Sequence, residues 1–152
     1  MRRLSGVLLA GAILMLPAFS QNAGVQAQAP QKLTMEGDLA LWSVAIRPDK
    51  TADFEKIMGK IKEALSKSES ADAKQQMAGW RVIKMSKPMP DGNIIYTHVI
   101  TPVKDADYNI LQVLYATFKD PAEQKELYDM YRGAFAANLG ISSGTVAADL
   151  SK

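Results

Sequence analysis

The sequence predicts an α+β domain in which helices cover one face of an antiparallel sheet. Three observations predict it. Residues 39–47 alternate with the two-residue period of a strand. Phe54, Ile57, Met58, Ile61, Ala64 and Leu65 recur with the helical period. Two β-rich arms then flank a dense cluster of turn residues, Lys87-Pro88-Met89-Pro90-Asp91-Gly92-Asn93.

The first 27 residues read differently from the rest. Arg2 and Arg3 precede an apolar run from Val7 to Leu16, and Val25-Gln26-Ala27 supplies small residues at the −3 and −1 positions of a cleavage site. This is the layout of a secretory signal peptide. The run is too short for a membrane span, which needs about 20 apolar residues. Cleavage is expected after Ala27, which places the protein in the periplasm or the extracellular medium.

The whole chain has 152 residues, 18 basic and 16 acidic, for a net charge of +2. Both excess charges belong to the signal, so the remaining 125 residues are balanced, 16 against 16. That balance argues against nucleic acid as a partner, and no later apolar run is long enough to insert in a membrane. The chain has no cysteine, which removes disulfides, thiol chemistry and cysteine metal sites.

Residues 28–38 are polar, include Pro30, and are expected to form a flexible leader to a domain spanning 39–152. In the first strand Trp42, Val44 and Ile46 share one face, and Leu41, Ser43 and Ala45 the other. Pro48 ends it, because proline cannot donate a ladder hydrogen bond. Asp49 or Thr51 is expected to cap the first helix, whose outer side carries Lys56, Lys60, Lys62, Glu63 and Lys67 and reads as a solvated face. Residues 66–79 read as a polar connector with room for one further helical turn. The hairpin arms are Trp80–Ser86 and Ile94–Thr101. The next helix is expected to start at Asp105 or Asp107, with Ile110, Leu111, Leu114, Tyr115 and Phe118 inward. Asp120-Pro121-Ala122-Glu123 restarts it as cap, first helical residue and capping-box partner. The period through Phe135 extends that helix to Asn138 and Gly140, and a last strand is expected over Thr145–Leu150.

The order strand, helix, strand, strand, helix pair, strand matches a split βαβ, or ferredoxin-like, plan. Ile94, Tyr96, His98 and Ile100 lie on one face of the second hairpin arm, and Ile95 and Val99 on the other. A sheet apolar on both faces needs a second cover, and a second copy in an isologous homodimer is the simplest one.

Leu41-Trp42-Ser43-Val44-Ala45-Ile46-Arg47-Pro48, the helix from Phe54 to Leu65 and the Trp80–Thr101 hairpin resemble the dimeric α+β barrel superfamily, which includes antibiotic-biosynthesis-type monooxygenases. The likeness is one of element pattern over residues 39–150, with no catalytic motif matched. It implies a dimer and a ligand cavity between sheet and helices. The chain also resembles short exported bacterial proteins without assigned activity.

His98 is the single histidine. One histidine without cysteine does not complete the usual zinc sites, so no metal and no cofactor is expected. No Gly-rich phosphate loop and no Gly-x-Ser-x-Gly elbow is present. The candidate ligand-binding residues are Trp42, Trp80, Tyr96 and His98, with His98 and Tyr96 as acid–base candidates. The competing reading makes His98 a hydrogen-bonded sheet residue and the aromatics core. Tyr108, Asn109, Tyr128, Tyr131 and Arg132 are secondary polar candidates. Met77, Met85, Met89 and His98 supply soft donors for Cu(I), without a recognised spacing. Two functions follow. One is a non-catalytic exported dimeric module that takes a small apolar ligand. The other is a cofactor-independent monooxygenase-like cavity enzyme using His98 and Tyr96.

Overall fold

A computed structural model describes residues 31–150. Residues 1–27, expected to form a signal, and the start of the expected leader lie outside the described residues. The elements run β1 (Leu39–Ile46), a 3-10 turn (Pro48–Lys50), α1 (Thr51–Lys67), α2 (Ala71–Gly79), β2 (Trp80–Lys84), β3 (Ile94–Ile100), α3 (Ile110–Thr117), α4 (Pro121–Ala134) and β4 (Phe135–Gly144). The fold is α+β, with one four-stranded sheet in the order β2-β3-β1-β4 and every neighbouring pair antiparallel.

The alternation in β1 sorts its side chains as expected except at Ala45, which is expected on the outer face but is buried. Ala40, Trp42, Val44 and Ile46 are buried under the helices, while Leu39 and Leu41 are exposed. In β3, Tyr96, His98 and Ile100 are buried on the helix side. The register sets Trp42 opposite His98 and Val44 opposite Tyr96. Phe54, Ile57, Ile61, Ala64 and Leu65 of α1 lie over this face, and Ile110, Leu114 and Leu127 from α3 and α4 complete the core. Burying a side chain such as Phe54 or Ile57 contributes about 1.5–3 kcal/mol.

Helix starts follow local side-chain chemistry. Asp120 caps α4, its Oδ1 accepting from the Glu123 N–H at 2.8 Å, with Pro121 in the first turn. The other two starts differ from expectation. Neither Asp49 nor Thr51 caps α1; Pro48 opens a 3-10 turn instead, and Lys50 holds Asp53 at 3.0 Å. Asn109, not Asp105 or Asp107, caps α3 by accepting from the Leu111 and Gln112 N–H groups. Asp107 is occupied elsewhere, because its Oδ1 accepts from the N–H groups of Leu33 and Asn109.

From Gln31 onward the segment before β1 packs on the domain. Tyr108 N donates to the Leu33 carbonyl at 2.7 Å, Asn109 Nδ2 donates to the Gln31 carbonyl, and Met35 is buried in the core. Leu33 and Met35 supply apolar surface that a purely polar leader would lack.

The connector holds α2, a full nine-residue helix, tied down by Gln76 Nε2 donating to the Asp107 carbonyl at 2.7 Å. The last strand is the largest difference. The helix ends at Ala134, and Phe135 enters β4 without a loop. Residues 145–150 form no strand. Phe135 keeps the helical spacing because it packs on Tyr131 and Phe54 in the strand conformation. The free edge of β1 takes up the following backbone instead, with register shifts opposite Ser43/Val44 and Ala45/Ile46 and Gly140 at φ +105°. Glycine adopts that dihedral without a Cβ clash.

The sheet face away from the helices is uncovered among the described residues. Leu39, Leu41, Ile83 and Met85 are 38%, 41%, 50% and 45% exposed. Half-buried Ile95 and Val99 lie between them, and the Ser43 and Thr97 hydroxyls bond at 2.9 Å in the middle.

Candidate functional site

The alternation of β1 and β3 brings three of the four sequence-predicted residues to one face, and β2 adds the fourth. The Trp42 ring stacks on His98 with centroids 4.7 Å apart and planes 21° from parallel. Trp80, at the start of β2, donates its Nε1–H to His98 Nδ1 at 3.0 Å. Phe54 presents an edge contact to His98 from α1, and Tyr108 an edge contact to Trp80. His98 is therefore the centre of an aromatic cluster and is 0% exposed.

Since Nδ1 accepts a hydrogen bond, the imidazole proton sits on Nε2. Nε2 is buried and has no hydrogen-bond partner among the described residues. Burial pushes the His98 pKa down to about 4, so the ring is neutral at neutral pH. A buried donor left unpaired costs about 1–3 kcal/mol. The ring stacking on Trp42 offsets part of that.

Tyr96 shares the strand face, but its hydroxyl leaves the cluster. It donates to Glu55 Oε1 at 2.6 Å, and Lys84 Nζ reaches the same oxygen at 2.9 Å. The Tyr96 bond and then the Lys84 bond hold the Glu55 carboxyl below its ordinary value, and burial first and Glu55 second raise the Tyr96 phenol. Tyr96 and His98 thus face different partners, one at a solvated rim and one in the core. Trp42 is tied on its other side, its Nε1 donating to Asn138 Oδ1 of β4 at 3.1 Å.

Trp80 faces a second environment. With Met58, Ile61, Lys62, Leu65, Met77 and Val82 it lines an open groove of about 310 Å³ between α1, α2 and β2. Trp42, Tyr96 and His98 do not line it. The single cavity expected around all four residues is therefore split: three residues form packed structure, and one borders the groove.

The secondary candidates disperse. Tyr108 is fully buried and accepts the Val103 N–H, Asn109 is the α3 cap, and Tyr131 is held in a phenol form by burial. Tyr128 and Arg132 are exposed on α4. The soft donors are not gathered either. Met85 continues the β2 ladder on the sheet face opposite His98, while Met77 lies in the groove. Among the described residues no group of three or more His, Cys, Asp or Glu side chains could hold a metal ion, and no helix is long and apolar enough to cross a membrane.

Glu55, Lys62 and Asn138 were not singled out as site residues from the sequence. Glu55 stands on the exposed side of a clear helical pattern, and Asn138 read as a helix terminator. Only the register of β4 aims it at Trp42.

The site and fold define an α+β domain with a buried aromatic–histidine cluster and an apolar groove at its edge. Compared with known proteins, the chain matches no family, no curated protein and no solved structure.

Proposed function

We propose that this is a non-catalytic exported module, ferredoxin-like in plan, that forms a homodimer through its open sheet face and takes a small apolar ligand. The strand order and the all-antiparallel pairing support the plan. The signal-like first 27 residues support export.

One observation carries the dimer: the uncovered face is apolar and nearly free of charge. Leu39, Leu41, Ile83 and Met85 surround Ser43 and Thr97, and Arg81 stands at the β2 edge. An isologous contact sets a surface against its own copy, so a charged centre would meet like charge. This face avoids that conflict, and a second copy would remove its large side chains from water. The groove beside Trp80 is of the size and lining that suit a small apolar molecule.

A monooxygenase-like enzyme would need His98 and Tyr96 beside one void. His98 is instead enclosed, and Tyr96 is bound to Glu55.

Native mass spectrometry of protein taken from the exported fraction tests this reading. The expected species is a dimer of chains beginning at Gln28. A monomer at high micromolar concentration would overturn the dimer, and an intact Met1 terminus would overturn export by cleavage.

A further inference from the structure

We propose that the groove between α1, α2 and β2 binds an amphipathic anion of medium chain length, with Lys62 as the partner of its acidic head group. This rests on the ligand-binding reading above and narrows it to a chemical class.

The groove walls are apolar apart from Lys62. Met58 and Met77 are unbranched thioethers that adjust to irregular shapes. The Trp80 N–H is engaged by His98, so its indole offers the groove apolar surface. Among the described residues no carboxylate lines it. A volume of about 310 Å³ lies at the low end of small-molecule sites, which suits a chain of several carbons better than a large ring system.

Lys62 differs from its neighbours on α1. Lys56 pairs with Glu126, Lys60 with Glu63 and Glu123, and Lys67 with Glu63. Lys62 is in no salt bridge among the described residues, and it is the one of these lysines that borders the groove. A lysine stem lies along apolar surface while its ammonium stays in water. The charge therefore sits where a head group would emerge from an occupied groove.

The test uses the signal-free protein, with octanoate and octan-1-ol as probes of equal chain length, each titrated by calorimetry below its solubility limit at pH 7.5 and low salt. In Lys62→Gln the octanoate dissociation constant should rise about threefold to fivefold, as an exposed ion pair implies, with that of octanol unchanged. Added salt should weaken octanoate in the native protein and not in the variant. Met77→Glu should weaken both probes.

Equal octanoate binding by native protein and Lys62→Gln overturns the anion assignment while ligand binding stands. Failure of both probes to bind native protein overturns both. Unchanged binding by a folded Met77→Glu places the ligand elsewhere and overturns the groove. Lys62 is exposed, so its variant keeps the proposal falsifiable even where Met77→Glu does not fold.

Discussion

Trp80 donates its indole N–H to His98 Nδ1 across 3.0 Å, fastening the first residue of edge strand β2 to the middle of β3. The bond is made on the side-chain layer, one step above the backbone ladder that pairs Val82 with His98. It fixes the imidazole tautomer and places the other ring nitrogen in the core.

Acid should destabilise the protein through His98. His98 has a folded pKa of about 4 against an ordinary 6.5. The unfolded chain binds the proton more readily, so stability is fully present above pH 6.5 and falls as the pH drops toward 4. The loss amounts to about 3 kcal/mol. His98→Phe should remove that part of the pH dependence. Urea unfolding at pH 7, 5.5 and 4 reads it, and identical pH slopes in native and variant protein would exclude His98 as the cause. Glu55 and Glu63, whose carboxyls are depressed, lose their contributions at lower pH in both proteins.

Trp80→Phe keeps an aromatic ring but removes the donor, leaving both His98 nitrogens unpaired in the core. A cost of about 1–3 kcal/mol is expected. Combined with His98→Phe, the two effects should fail to add by at least about 0.5 kcal/mol. Simple additivity in a double-mutant cycle would mean that the bond contributes nothing.

Asp107 and Asp120 offer a comparison. Asp120→Ala removes a helix cap and should cost about 1 kcal/mol. Asp107→Ala strips one acceptor from two backbone N–H groups, those of Leu33 and Asn109. It should cost more, and it should speed amide exchange at Leu33 selectively. Unchanged exchange at Leu33 would show that Asp107 does not hold the docked leader.

Gly37 and Gly140 both have positive φ, but only one is crowded. A Cβ on Gly37 would stand 2.5 Å from the Gly144 carbonyl oxygen, whereas one on Gly140 meets open space. Gly140→Ala should cost about 1 kcal/mol of backbone strain, and Gly37→Ala about 2 kcal/mol or more. Thermal melts that rank them in reverse would contradict the close approach of the two chain segments.

Leu41→Lys with Ile83→Lys places charge on the open sheet face without touching the core. Light scattering should then report a monomer with native circular dichroism. A dimer that survives both changes would have its interface elsewhere.

The face shared by Trp42, Tyr96 and His98 was readable from the sequence because strand alternation depends only on neighbours two apart. The Asp120 cap was readable for the same reason, since cap and N–H lie within one turn. β4 was not. Phe135-Ala136-Ala137 continues a helical pattern, and only the unsatisfied edge of β1, about ninety residues earlier, draws it into the sheet. The docked leader likewise depends on Asp107, far along the chain. Lys62 looked like its lysine neighbours until α4 brought Glu123 and Glu126 beside two of them. Local chemistry carried the elements; the site depended on long-range partners.

The pairing of β1 with β4 joins segments far apart in sequence, which is the kind of contact that forms slowly. Leu39 lies opposite Gly144, and the Val146 N–H closes on Asp38. β1 thus gains its second neighbour only from a segment made about a hundred residues later. Until then a growing chain has one edge of its central strand unpaired, and contacts this distant in sequence form slowly. A domain wired in this way closes its sheet only once β4 has been made.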